Sequence, residues 1–496
     1  IFPIKNILKT KLQKSNLTIA MDMINKLLEK YYNKSVATRA AVWFMFSNVV
    51  QKGIITLTTP IFSRLLTQEE YGIVSIYNSW MGIFTLLATF ALTTGVISKA
   101  MIKYKDSRWQ YISSILVLTS IVTVFFFVCV LTIKRLAPYS IELDSSLLII
   151  MGTDIFFSSA LALWSIKNRF EFNYKSIVLM TIVSNSIGTI LSLIFVIWCP
   201  QQRVFFRIFG NVITHIVLYA PIFVYILRKG KTYVYRDYWL YSLKYNAPLI
   251  PHYLSQQALN QADRIMISSL SGNAAAAVYS LAYQVAIAIR IVVDSIFSSF
   301  DPWALQHIEK RELKTIGVRA FQMELFLGII CCGFSLFAPE MIAVMGGEKY
   351  ASAAYIVPPI TMSVLFIALY SMFSSIEFYY EKTKMIMTAS CAVGALNILL
   401  NWFFINAFGF AAAAYTTLFC YVIYAAIHYV FMVHICRLNN IENPFSFIKM
   451  WGAALVFVFL SMSISLAYSL YLVRYMIILA LIVIAFAVYK KIILHR

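Results

Sequence analysis

The sequence is expected to fold as an all-α, multi-pass membrane protein, and two observations carry that expectation. From Ala41 onward, long apolar runs alternate with short polar connections. A helix needs about 20 such residues to cross the hydrocarbon core, and the chain holds roughly 14 runs of that kind. Lys and Arg, moreover, concentrate in every second connection, which is the pattern that orients a polytopic protein.

Composition agrees. Hydrophobic residues make up 61% of the 496 residues and charged residues 12%, whereas a soluble domain carries about a quarter charged residues. With so few polar residues to cover a core, lipid is the expected solvent. The net charge of +20 does not point to nucleic acid, because the basic residues flank the apolar runs and face an anionic leaflet. The seven cysteines form no CxxC pair, so neither a disulfide framework nor a metal site is expected.

Spans are expected at 41–62, 73–98, 111–133, 144–165, 176–199, 204–227, 245–270, 274–300, 320–345, 352–376, 385–405, 409–434, 450–472 and 474–493. Arg474 is the only residue that divides the last two. The fold class is thus about 14 transmembrane helices arranged as two six-helix bundles plus two C-terminal helices. The corresponding organisation is an N-terminal segment (1–40), a first bundle (41–227), a basic linker (228–244), a second bundle (245–434) and a C-terminal helix pair (450–493).

Of the 41 Lys and Arg, seven fall on one side (Arg64, Lys134, Arg135, Arg203, Arg207, Lys349 and Arg474) and three inside spans (Lys52, Arg264 and Arg290). The other 31 share a side with the N-terminus. That imbalance places both termini in the cytoplasm. Residues 1–40 are rich in Lys and Asn and admit two readings: a basic amphipathic helix on the cytoplasmic leaflet, or sequence upstream of a start at Met21 or Met23. The second is preferred. The segment lacks a long apolar region and a cleavage site, so it is not a signal peptide.

No nucleotide or metalloprotease motif is visible. Gly230-Lys231 lacks the earlier glycine of a phosphate-binding loop, and there is no HExxH. The loops on the side opposite the linker are too short to carry a catalytic domain. No cofactor and no enzymatic activity are expected.

Polar residues inside spans are costly and mark protein- or water-facing positions. Lys52 lies near the middle of the first span, with Asn48 and Gln51 close by. Asp154 is central in the fourth, and His215 in the sixth. The seventh carries His252, Gln256, Gln257, Asn260, Gln261, Asp263 and Arg264, and Pro248 and Pro251 should bend its inner end. Arg290 and Asp294, four apart in the eighth, can pair on one face. Lys52, Arg264, Arg290, Asn48, Gln51, Gln256 and Asn260 are the candidate cavity residues. Asp154, Asp263, Asp294 and His215 are candidates for ion coupling or charge pairing.

Two readings stay open for Lys52: a pair with Asp154 across the bundle, or a counter-charge for cargo. Asp263 and Arg264 either cap helix ends or line a site. Asn397 and Asn401 read as hydrogen-bond glue between helices, and His428 and His434 as interfacial.

An internal repeat is faintly visible. At an offset of 205, Thr67-Gln-Glu-Glu-Tyr-Gly-Ile-Val-Ser75 lies over Gly272-Asn-Ala-Ala-Ala-Ala-Val-Tyr-Ser280. Four segments also carry a family resemblance. Phe62 to Ser75 is similar to the first outward loop of oligosaccharide flippases. Asp263 to Tyr283 resembles their "DR…G…GxYslA" segment, with Ala277 where Gly is common. Gly347-Glu-Lys-Tyr350 with Ala351, Ser352 and Ala353 resembles their "fGxxYxxA" turn, with Gly346 where an aromatic is common. Asn397-Ile-Leu-Leu-Asn401 followed by Gly409 to Thr417 resembles "NxxxN…GxxGAAxxT", with Ala412 for the second Gly.

The chain therefore resembles Wzx-type repeat-unit flippases of the polysaccharide transporter family, whose superfamily also holds the MATE drug exporters. The resemblance implies two bundles around a cavity in a bacterial cytoplasmic membrane. It implies an undecaprenyl-pyrophosphate-linked oligosaccharide as cargo, moved by alternating access for O-antigen or capsule synthesis. It leaves room for a coupling cation (H+ or Na+) and for polymerase and chain-length proteins as partners beside membrane lipid. The alternative is a MATE-like ion-coupled multidrug exporter, which should prefer acidic cavity residues.

Overall fold

A computed structural model describes residues 36–138, 141–470, 472 and 474–476. The expectations for residues 1–35 and for the span over 477–493 lie outside the described residues.

The first half contains α1 (Val36–Leu65), α2 (Gln68–Ala88), the short α3 (Ile97–Lys103), α4 (Arg108–Leu136), α5 (Ser145–Phe170), α6 (Tyr174–Trp198) and α7 (Arg203–Gly230). A linker helix α8 (Arg236–Asn246) follows. The second half contains α9 (Ile250–Ser271), α10 (Asn273–Glu309), α11 (Leu313–Leu336), the short α12 (Ala338–Gly346), α13 (Val357–Tyr379), α14 (Thr383–Phe408) and α15 (Ala412–Leu438). The helix α16 (Phe447–Leu466) packs on the outside of this half, against α11 and α13.

Eleven of these helices are long and apolar enough to cross a membrane. Two further long helices fall short of that standard, α1 with 30 residues and α9 with 22. They fall short because both carry polar side chains through the middle of the span. Each opens its half, so the two polar helices hold corresponding positions in the repeat, the arrangement expected around a transport site.

The halves meet where α2 packs along α9 and α10. The start of α2 is set locally. Thr67 accepts from the Glu70 amide at 3.1 Å, and the Glu70 carboxylate accepts from the Thr67 amide at 2.8 Å. This reciprocal cap fits the sequence Thr67-Gln-Glu-Glu70 and satisfies two donors that the first turn would otherwise leave open. The α9–α10 turn depends on Gly272, whose φ of +89° suits a residue without a Cβ. Close approach depends on Gly72: a Cβ there would lie 2.0 Å from the Asn273 carbonyl oxygen.

The expected span 73–98 is not one helix. It stops at Ala88, and the backbone turns through 89–96 before α3, with Phe90 and Ala91 at φ +50° and +53°. That geometry costs a non-glycine residue roughly 1–3 kcal/mol and persists only where its surroundings hold it. Here Asn246, the last residue of α8, supplies the hold. Its side-chain oxygen accepts from the Val96 amide at 2.9 Å and its amide donates to the Phe90 carbonyl at 3.3 Å.

The linker is therefore not a plain loop. Its helix docks on α4, where the Trp239 indole donates to the Ser114 carbonyl at 3.0 Å and Tyr111 shares a 2.7 Å hydrogen bond with Ser242. Pro248 lies in a 3-10 turn, Ala247–Leu249, and Pro251 in the first turn of α9, as expected of residues that cannot continue a helix. The expected span 320–345 likewise divides into α11 and α12, with Pro339 opening the second.

Candidate functional site

A two-lobed cavity lies between the halves. The lobe in the first half encloses about 410 Å³ and the lobe in the second about 510 Å³. Ser75, Asn78, Ser280, Gln284 and Ile287 line both, so α2 and α10 form the shared wall.

In the first lobe, α7 presents Arg207, Asn211 and His215 at four-residue spacing on one face. Arg207 lies 3.9 Å from the centre of the Phe62 ring. With the Asn211 amide turned so that its oxygen meets the guanidinium, Arg207 donates to it at 2.8 Å. His215 Nδ1 is 2.7 Å from Asp154 Oδ1, and the Ser158 hydroxyl donates to the same oxygen at 3.0 Å. Lys52 reaches this lobe from α1.

In the second lobe, Gln257, Asn260, Gln261 and Arg264 form the cavity stripe of α9. Arg264 is buried, 4.2 Å from the Tyr283 ring centre, and donates to Gln261 Oε1 at 2.7 Å. Arg290 and Asp294 enter from α10. Asp294 accepts from both Lys52 Nζ and Arg290 Nε, each at 3.3 Å, one on each carboxylate oxygen. The two lobes together hold four cations, Lys52, Arg207, Arg264 and Arg290, against two carboxylates, Asp154 and Asp294.

The remaining candidates lie elsewhere. Asn48 continues the Lys52 face one turn beyond the cavity and is exposed. Gln51 and Gln256 are half-buried and do not line either lobe, because each sits one residue out of register with its helix's cavity stripe. Asp263 is not a helix cap. It is buried behind the cavity and accepts from Tyr279 at 2.6 Å, Asn401 at 2.6 Å and Thr417 at 2.7 Å. Asn397 joins the same knot through Asn401 at 3.3 Å. This cluster ties α9, α10, α14 and α15 together.

Three sequence readings change. Lys52 does not pair with Asp154, because His215 occupies that carboxylate and Asp294 reaches Lys52 from the other half. His428 is not interfacial: it is fully buried, 2.6 Å from an equally buried Glu377, because α13 and α14 cover that side of α15. Arg207, counted from the sequence among the residues of the side opposite the linker, lies inside α7 and lines the cavity. Its spacing to His215 was the available signal. Glu377 lies one residue past an expected span end, which hid it.

The hydrogen bonds joining the halves cluster at the end that holds the α1–α2 turn. Lys349 Nζ donates to the Leu66 carbonyl at 2.7 Å, Gln68 to the Lys349 carbonyl at 2.6 Å, and Ser268 to Glu142 at 2.7 Å. Ser63 donates to the Met345 carbonyl, and Ser75 shares a hydrogen bond with Ser280. Toward the linker end, beyond Lys52 and Asp294, Asn48 on α1 and Ser298 and Ser299 on α10 are exposed.

The profile of a family described as "Polysaccharide biosynthesis protein" matches residues 37–308. The chain belongs to that family. A second profile, MatE, matches residues 248–403. No curated protein sequence matches the chain.

Solved structures share the fold. Lipid II flippase MurJ in an inward closed conformation superposes with a TM-score of 0.60 at 15% identity, over 88% of this chain and 99% of its own. A MOP superfamily transporter from Pyrococcus furiosus gives 0.57 at 14%, over 81% and 97%. The Vibrio cholerae MATE transporter VcmN gives 0.56 at 15%, over 83% and 99%. The chain is thus a multi-pass membrane protein of MATE-like architecture.

Proposed function

We propose that this protein is a flippase that carries an undecaprenyl-pyrophosphate-linked oligosaccharide across the bacterial cytoplasmic membrane for surface polysaccharide synthesis, O-antigen or capsule. The observation that carries this reading is the cavity's excess of cations, four against two carboxylates. A pyrophosphate crossing a low-dielectric slab is costly unless fixed cations and polar groups replace its water. Arg is well matched to phosphate, and the neighbouring Asn260, Gln257 and Gln261 offer hydrogen bonds to sugar hydroxyls. Lys52, Arg264 and Arg290 hold the headgroup in this reading, with Arg207 in the first lobe. Asn48, Gln51 and Gln256 flank the route. The isoprenoid tail stays in lipid.

Transport needs no covalent step, only two states of the halves. The positive-inside charge pattern supports a cytoplasmic linker end, and with the hydrogen bonds between the halves gathered at the other end the cavity faces inward in this reading. A coupling cation is assigned to the Asp154–His215 pair, whose side chains meet at 2.7 Å, or to the Asp263 knot, which is rich in the oxygen donors that hard cations prefer.

Deletion tests the reading. It should abolish surface polysaccharide while lipid-linked repeat units accumulate inside, and restoring the gene should clear them. If the units are never made, the protein acts in synthesis instead. If polysaccharide is unaffected but cationic drugs accumulate, it is a MATE-like exporter.

A further inference from the structure

We propose that Asp294 is a built-in stand-in for the cargo's phosphate: it occupies Lys52 and Arg290 while the cavity is empty, and the arriving anion displaces it. The proposal rests on the flippase reading and adds how cargo binding is linked to the contact between the halves.

The geometry supports displacement. Asp294 uses one carboxylate oxygen for Lys52 of the first half and the other for Arg290 on its own helix, both at 3.3 Å. It therefore neutralises two cations with the forked geometry that a phosphate would also present. The Lys52 contact is a direct ionic bridge between the halves at mid-depth. The other two arginines of the cavity are held differently: Arg207 by the Phe62 ring and the Asn211 amide, Arg264 by the Tyr283 ring and the Gln261 amide. Neither forms a direct ion pair inside the cavity, although Arg264 has the buried Asp263 beside it in the chain. Of the four described cavity cations, Lys52 and Arg290 are the two that form a direct ion pair with a cavity carboxylate.

Exposure separates this pair from a structural one. The Asp294 side chain is 53% exposed and Lys52 31%, whereas Asp154 is 9% exposed where it meets His215. Ion pairs this solvated are weak and easily exchanged. A polyvalent anion in the same water outcompetes a single carboxylate for two cations. Once it does, Lys52 no longer anchors α10 to α1, and the cross-half tie at mid-depth is replaced by one made through the cargo.

The test uses the full chain in lipid nanodiscs and inorganic pyrophosphate, followed by calorimetry. Asp294→Asn keeps the shape and removes the competing charge. Releasing two exposed pairs predicts about tenfold tighter binding than wild type. The gain should vanish in Lys52→Gln/Asp294→Asn. Spin labels at Asn48→Cys and Ser298→Cys should change separation when pyrophosphate is added to wild type. In Asp294→Asn the shifted distance should be present before any is added. Binding to wild type with no gain, or a loss, in a stably folded Asp294→Asn overturns the stand-in and leaves the flippase reading intact. No binding to any variant overturns both.

Discussion

Ser75 and Ser280 share a hydrogen bond across the seam between the halves, and they are 205 residues apart. That separation is the offset at which residues 67–75 repeat as 272–280. The two serines are thus equivalent positions of the repeat brought face to face, which places the pseudo-two-fold axis between α2 and α10. Gly72 lets the same helices close at the Asn273 backbone. The seam is small-residue packing with polar glue, the form that helix contacts take in lipid.

If this seam must part during transport, locking it should stop the cycle. Ser75→Cys/Ser280→Cys should cross-link under oxidising conditions, abolish export, and regain it on reduction. Each single cysteine should remain active. Full export by the cross-linked protein would show that the seam does not open.

The pairing within the cavity can be measured by double-mutant cycles on thermal unfolding in detergent. Lys52→Ala and Asp154→Ala should add within about 0.5 kcal/mol, because the two side chains share no contact. Asp154→Ala and His215→Ala should show coupling of about 0.5–3 kcal/mol. Lys52→Ala and Asp294→Ala should show a smaller coupling, about 0.2–1 kcal/mol, because both groups are partly exposed.

Asp263 is predicted to be a stability centre. Asp263→Ala leaves the Tyr279, Asn401 and Thr417 donors buried without their acceptor, at about 1–3 kcal/mol for each group that finds no other partner. Asp263→Asn keeps an acceptor oxygen and should lose less. Thermal unfolding should rank the three proteins wild type, Asn, Ala. A melting temperature unchanged in Asp263→Ala would remove the knot from the stability argument.

Orientation is testable by cysteine labelling in a cysteine-free background. Lys229 and Glu348 are both exposed, at opposite ends of the fold. They are better sites than their glycine neighbours, since a Cβ at Gly230 would lie 2.3 Å from Ser113 and Gly347 has φ +74°. Glu348→Cys should react with an impermeant reagent in intact cells, and Lys229→Cys only after permeabilisation. The opposite result would invert the membrane orientation.

The sequence alone determined those features that one helix, or one connection, carries by itself. Hydropathy over 20 residues marks a span without reference to any neighbour, so the all-α membrane class was legible. So was the unusual polarity of α1 and α9, because a lysine or a run of amides in an apolar stretch stands out locally. Where the chain kinks was partly legible: Pro248 and Pro251 announce themselves, but nothing near Ala88 shows that Asn246, far along the chain, would hold a broken turn at Phe90.

Tertiary structure decided the partners. Lys52 took Asp294 rather than Asp154, and His428 took Glu377, because an ion pair depends on how two helices are rotated and staggered against each other. That arrangement is set by the packing of many side chains summed over the whole interface, and the periodicity of a single helix says only which residues share its face, not which face of another helix they will meet.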